Sequence, residues 1–236
     1  MSRVVNILTA GLLAAGSSLA TAALAEQRPV VVELFTSQGC SSCPPADEIL
    51  SELGERDDVI AIALHVDYWD YIGWKDEFGS PNHTLRQRGY AAKAERRSIY
   101  TPQMIVNGQT DIVGAKPMVL SKAIAKHKEA GARMQLDVQR TGGRVDIRGT
   151  VPTGTVTAMD VTLMYVLPSR VSKITRGENR SKTIEYTNIA QNLTTAATWD
   201  GQSPLNLSLE VGGDDPLVVI VQEADMGPIV AAARVD

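Results

Sequence analysis

Two cysteines three positions apart stand where a run of β-formers gives way to a helical pattern. That junction constrains the chain more than any other feature. Val30-Val31-Val32-Glu33-Leu34-Phe35 is apolar and β-branched except at Glu33, and it ends in Thr36-Ser37-Gln38-Gly39. A short apolar run closed by turn residues reads as a buried strand. Cys40-Ser41-Ser42-Cys43-Pro44-Pro45 follows, and from Ala46 onward Ile49, Leu50 and Leu53 recur at helical spacing up to Gly54. The paired prolines suit a first helical turn, where their missing N–H groups have no intrahelical partner in any case. A CxxC on a strand-to-helix turn is the sequence form of a thioredoxin-like redox motif.

The pattern continues through residue 131 as strands interleaved with helices. Val59 to Leu64 reads as a second buried strand, and residues 84–97 as a helix with Leu85, Ala92 and Ala94 turned inward. Thr101-Pro102 directly precedes the strand Gln103-Met104-Ile105-Val106. Asn107-Gly108 is a hairpin turn signal, with Thr110 to Val113 as the return strand. Met118 to Ala130 reads as a helix closed by Gly131. This alternation predicts a layered α/β domain over residues 26–131. After Gly131 short alternating runs dominate: Met134 to Arg140, Arg144 to Val151, Val161 to Val166, Leu205 to Leu209 and Leu217 to Gln222. They predict a second, β-rich and sandwich-like domain over residues 132–236.

Residues 1–25 stand apart from the fold. Arg3 precedes an apolar stretch from Val4 through Leu24, and Ala23-Leu24-Ala25 offers small residues at both positions a signal peptidase reads. The pattern is that of a secretory signal peptide rather than an uncleaved anchor, and it predicts a periplasmic or secreted product. No later segment is apolar for long enough to span a bilayer, so no transmembrane span is expected after cleavage. A disulfide persists in that compartment. With 23 Lys plus Arg against 27 Asp plus Glu, the net charge of −4 argues against nucleic acid as a partner, because phosphate contacts need concentrated positive charge. Two cysteines in 236 residues do not make a disulfide-dense scaffold.

The CxxC itself predicts chemistry. A helix N-terminus favours the thiolate, so Cys40 is the expected attacking sulfur with a depressed pKa. Cys43, one turn on, is the expected resolving thiol. A static clip is the bland alternative. Closing a four-residue loop stabilises by only about 2 kcal/mol, against roughly 4.7 for a loop of about 100 residues. Glu33 lies seven residues before Cys40 in an apolar strand. A desolvated carboxylate there has a raised pKa and can take a proton from Cys43; on a solvated rim it does nothing. No cofactor and no metal is expected. One CxxC supplies two ligands, and only His65, His83 and His127 can add nitrogen. A copper site of Cys40, Cys43 and His65 is the metal alternative.

Other segments carry bland and sharp readings side by side. The aromatic stretch Tyr68 to Trp74 is expected to pack against the β-rich domain, or else to flank a substrate groove. Asp67, Asp70 and Asp76 read as solvated loop acids, since their spacing is not that of a calcium loop. Arg86, Arg88, Lys93, Arg96 and Arg97 read as the outer face of a helix. Arg176-Gly177-Glu178-Asn179-Arg180 either approaches the cysteines or is a solvated loop.

Residues 32–47, His65-Val66-Asp67-Tyr68-Trp69-Asp70, and Tyr100 through Gly108 are similar to a family of secreted bacterial proteins catalogued as domain of unknown function 1223, in the thioredoxin-like superfamily. Residues 176–180, Trp199-Asp200-Gly201, Val221-Gln222 and Gly227-Pro228-Ile229 resemble it too, so the likeness covers nearly the whole chain after residue 25. It implies a thioredoxin-like domain with an appended β-rich domain, and no settled activity. Thr101-Pro102 sits where thioredoxins and their relatives carry a cis proline against the cysteine pair, which makes Thr101 and Pro102 expected substrate-groove residues. Glu33 resembles the buried acid of thioredoxins, with one more residue before Cys40. Ser41-Ser42 differs from the dipeptides of familiar relatives, so no redox direction is implied.

The expected function is a periplasmic thiol–disulfide oxidoreductase acting on a protein or small-molecule thiol or disulfide. With no third cysteine, its electrons come from or go to another molecule. The alternatives are a non-catalytic thioredoxin-like binding module, a copper handler, and an envelope interaction protein whose disulfide is vestigial.

Overall fold

The computed structural model describes residues 29–131, 133–151 and 157–236; the expected signal peptide, residues 1–25, lies outside them. All seven residues of β1 (Val30–Thr36) are buried, and so are all seven of β2 (Val59–His65), its parallel neighbour. Strands covered on both faces lose polar alternation and become continuous apolar runs. On one face Val30, Val32 and Leu34 pack against α1 (Pro44–Gly54) and α3 (Pro117–Glu129) through Ala46, Leu50, Leu53, Leu120 and Ile124. On the other face Val31 and Phe35 meet Tyr90 of α2 (Pro81–Lys93).

β3 (Gln103–Val106) runs antiparallel to β1, and β4 (Thr110–Val113) closes the hairpin at Asn107-Gly108. The second half of the chain adds β5 (Gln135–Thr141), β6 (Arg144–Thr150), the long β7 (Met159–Lys173) and β8 (Thr183–Trp199), then β9 (Leu205–Glu210), β10 (Leu217–Glu223) and β11 (Ile229–Val235). Four of these extend the first sheet, giving a mixed eight-stranded order of β11-β10-β7-β8-β2-β1-β3-β4. The sheet is α/β and continuous across residue 131, joined where β8 meets β2 at Ala63 and Ile189. It also curls. The Ile229 N–H at the start of β11 donates to Asn107 O at 3.0 Å, back beside β3.

β5, β6 and β9 form a second, three-stranded sheet. β7 and β10 send alternate residues to two layers. Met164, Val166, Val218 and Ile220 face the β1–β2 core, while Val161, Leu163, Val219 and Val221 face Val145, Ile147 and Leu205 of the small sheet.

Three elements differ from their sequence reading: α2, β8 and the final strand β11, which no run in that reading covered. α2 begins at Pro81, with Ser80 as its N-cap, and its inward face is His83, Thr84, Arg86, Gln87, Tyr90 and Ala91. Leu85 is 61% exposed, and Ala92 and Ala94 are exposed as well. The helix turns polar groups inward because the core beneath it is a hydrogen-bonded network, so apolar spacing gave the wrong face. β8 has no apolar alternation to reveal it. Its Thr- and Asn-rich sequence is held by pairing to β7 along most of its length.

Candidate functional site

β1 delivers the chain into a tight turn. Ser37 O accepts from the Cys40 N–H at 3.1 Å, Ser37 Oγ accepts from the Gly39 N–H, and Cys40 O accepts from the Cys43 N–H. Cys43 is the N-cap of α1, and Pro44 and Pro45 fill its first turn. Cys40 and Cys43 are joined by a disulfide. Both are buried, at 1% and 0% exposure. Ser42 Oγ lies 3.4 Å from the sulfur of Cys40.

The Thr101–Pro102 peptide bond is cis. Antiparallel pairing sets Gln103 opposite Phe35, so Pro102 lies beside the end of β1 that feeds the cysteine turn. Trp69 ties the two loops together: its indole N–H donates to Thr101 Oγ1 at 2.8 Å, and its Cβ is 3.1 Å from where a Cβ on Gly39 would stand. The Tyr68–Trp74 stretch thus borders the turn. Trp74 donates to Gln38 Oε1 at 2.8 Å, and Ile72, in the 3₁₀ turn Asp70–Ile72, approaches both Gly39 and Gly177.

Glu33 is a desolvated carboxylate in β1, fully buried, but its partners are not the cysteines. It alternates with Val32 and Leu34 and shares the face of Val31 and Phe35, so it points away from α1. Arg86 donates to Oε1 at 2.5 Å and to Oε2 at 3.1 Å, Tyr90 donates to Oε2 at 2.6 Å, and Gln222 Oε1 accepts from Arg86. The expected free base is one half of a buried ion pair, placed away from Cys43. Arg86, read as a solvated helix residue, is the other half at 5% exposure, whereas Arg88, Lys93, Arg96 and Arg97 are exposed. Burial opposes the charge of Arg86, but Glu33 overrides it and holds the guanidinium pKa above its ordinary value.

The acid nearest the cysteines by chain position is Asp47, four residues and one turn beyond Cys43. It is 8% exposed. Its Oδ1 accepts from Thr36 Oγ1 at 2.7 Å. Burial pushes its pKa up to about 7, against smaller opposing pulls from His65 and Thr36. A second buried pair lies close by: His65 Nδ1 and Asp76 Oδ2 are 2.8 Å apart. Burial alone lowers the His65 pKa, yet the carboxylate of Asp76 carries it above the ordinary value. Asp76 also accepts from the Gln38 and Phe78 N–H groups at 2.7 and 2.9 Å. It is therefore a structural anchor of the turn, not a solvated loop acid. Tyr186 covers His65 edge-on with 4.9 Å between ring centroids. Asp47 and the His65–Asp76 pair escaped the sequence reading. Asp47 had one available signal, an acid at i+4 from a cysteine beside apolar Ala46 and Leu50.

His83 Nδ1 bonds His65 O, and His127 Nε2 bonds Thr110 Oγ1, so each has a structural partner. Among the described residues no three His, Cys, Asp or Glu side chains gather in a way that holds a metal ion. None of the described helices is long and apolar enough to cross a membrane.

The tip of the β7–β8 hairpin completes the site from the far half of the chain. Glu178 Oε2 accepts from Ser41 N–H at 3.1 Å and from Ser41 Oγ at 2.7 Å. The buried Asn179 donates through Nδ2 to Gln38 O and to Cys40 O, both at 2.9 Å. Of the two readings of residues 176–180, the approach to the cysteines is the observed one.

Residues 31–222 match the family described as Protein of unknown function (DUF1223). A crystal structure of a protein from Agrobacterium tumefaciens is similar over 89% of this chain and 95% of its own, at 32% identity and a TM-score of 0.75. HBP35 of Porphyromonas gingivalis is alike in fold alone, at 15% identity and a TM-score of 0.62, over 89% of this chain and 75% of that one. No curated protein matches the chain.

Proposed function

Because the chain belongs to the DUF1223 family, whose description states no activity, we propose its function from the site itself: a thiol–disulfide oxidoreductase on a thioredoxin-like scaffold, acting in the periplasm or outside the cell. The observation that carries this reading is a Cys40–Cys43 disulfide at the start of α1, with Asp47 one turn below and Thr101-Pro102 beside the same strand end. A clip that only stabilised the fold would need no buried acid poised near neutrality.

In the reduced protein the Cys40 thiolate is stabilised by the N-terminal field of α1. It attacks one sulfur of a substrate disulfide, forming a mixed disulfide and expelling the other sulfur as a thiolate. Cys43 then gives its proton to Asp47 and attacks the Cys40 sulfur. The Cys40–Cys43 disulfide forms and the substrate leaves as a dithiol, having gained two electrons and, from solvent, two protons. The same steps run backwards oxidise a substrate dithiol, and relative reduction potentials set the direction. Asp47 suits the proton step because an acceptor works best with a pKa near the operating pH. Glu33, neutralised by Arg86 on the other face, takes no part.

The test is turnover of a fluorogenic peptide disulfide with a dithiol reductant in excess. Cys40→Ser abolishes turnover. Full turnover by that variant, with its fold intact by circular dichroism, sinks the proposal.

A further inference from the structure

The cysteines are buried, yet thiol chemistry needs a sulfur that another molecule can reach. What stands over the turn is the hairpin tip, residues 175–181. Its attachment is polar: Glu178 on Ser41, Asn179 on Gln38 and Cys40, and at the neck Ser172, which accepts from Gln38 Nε2 at 3.1 Å and donates to Glu77 at 2.5 Å. Gly177, at φ +76°, fits closely against Ile72 and Trp74. The apolar anchorage begins at Ile174, which is fully buried, and continues where Leu167, Tyr186 and Ile189 cluster with Phe78. Polar contacts exchange for water at small net cost, whereas buried apolar ones do not. The tip can therefore lift while the base of the hairpin stays packed.

Glu178 also opposes one redox state. Its carboxylate is held ionised by the Ser41 hydroxyl and N–H, which lower its pKa. Ser41 directly follows Cys40. A thiolate at Cys40 draws on the same N-terminal field of α1 and adds a second negative charge beside the first. The disulfide adds none.

We propose that residues 175–181 form a displaceable cover on the redox pair, in which Asn179 positions the backbone of the reactive turn and Glu178 favours the oxidised, covered state. When an external dithiol gives two electrons to the disulfide, that dithiol becomes a disulfide, Cys40 becomes a thiolate and Cys43 a thiol, and of the dithiol's two protons one goes to Cys43 and the other to solvent. Glu178 then loosens from Ser41, and the tip opens the site to substrate. Access is thereby linked to redox state by residues from the far half of the chain. The inference deepens the oxidoreductase reading and rests on it for its purpose.

The experiment uses the full chain equilibrated with oxidised and reduced dithiothreitol. Glu178→Gln raises the equilibrium constant for reduction about threefold, a shift of ~14 mV to less negative potential. Amide exchange at Ser41, whose N–H donates to Glu178 in the covered state, accelerates on reduction of the wild-type protein. Asn179→Ala speeds reduction of the disulfide by dithiothreitol. An unchanged potential in Glu178→Gln overturns the role of Glu178, and unchanged exchange on reduction overturns the cover. Dithiothreitol reduces the pair whether or not a biological substrate exists. Redox-linked opening without peptide turnover therefore sinks the enzyme reading alone, and turnover without opening sinks the cover alone.

Discussion

Thr36, the last residue of β1, donates its hydroxyl hydrogen to Oδ1 of Asp47, in the first turn of α1, across 2.7 Å. That bond ties the strand entering the cysteine turn to the helix leaving it. It also holds a carboxyl group in an interior that disfavours its charge.

Asp47 makes stability depend on pH with a definite sign. Its carboxyl group titrates at about 7 in the folded chain, against 3.8 as an ordinary value. The unfolded chain loses this proton first, so the stability that Asp47 contributes is fully present below pH ~4 and is lost as pH rises through about 7. That contribution is on the order of 4 kcal/mol. Asp47→Asn removes most of that slope, read by urea denaturation of the oxidised protein at pH 4 and pH 8. A slope equal to that of the wild type would refute the assignment.

Glu33→Gln leaves Arg86 as an uncompensated buried charge and costs about 3–5 kcal/mol of stability. It leaves the alkylation rate of Cys40 in the reduced protein unchanged, because Glu33 faces the other side of the sheet. A slowed alkylation with normal stability would restore Glu33 to the redox site.

Cys43→Ala retains the attacking sulfur and lacks the resolving one. Incubated reduced with a peptide disulfide, it accumulates a mixed disulfide on Cys40, visible by mass spectrometry as the mass of one peptide half. No adduct, with Cys40 free to react with iodoacetamide, would reverse the assigned order of the cysteines.

Gly108 turns the β3–β4 hairpin at φ +67°, and a Cβ there would lie 2.8 Å from Gly227 O. Gly108→Ala combines left-handed strain with a backbone clash and destabilises by about 1–3 kcal/mol. A thermal midpoint within a degree of the wild type would show that the β11 end of the sheet does not press on this turn.

The elements around the cysteines were legible because local rules settle them. A β-branched run, turn residues, prolines at a helix start and Asn-Gly each act over a few positions. The inner face of α2 was not legible. Arg86 and His83 point inward only because Glu33, Gln222 and the backbone of His65 lie there to receive them. β8 was missed for a related reason: its partners, not its composition, make it a strand.

The amino-acid sequence by itself determined where two sulfurs stand: at the end of a buried strand and the start of a helix. Covalent spacing and secondary-structure propensity decide that within about twenty residues. The tertiary structure decided which acid serves them and what covers them. Asp47 rather than Glu33 lies on the cysteine side because strand alternation sends Glu33 to the other face. Glu178 and Asn179 reach Ser41 and Cys40 from more than 130 positions away because β7 and β8 join the same sheet as β1 and β2. Pairing over that distance depends on how the whole chain packs, which no local pattern encodes.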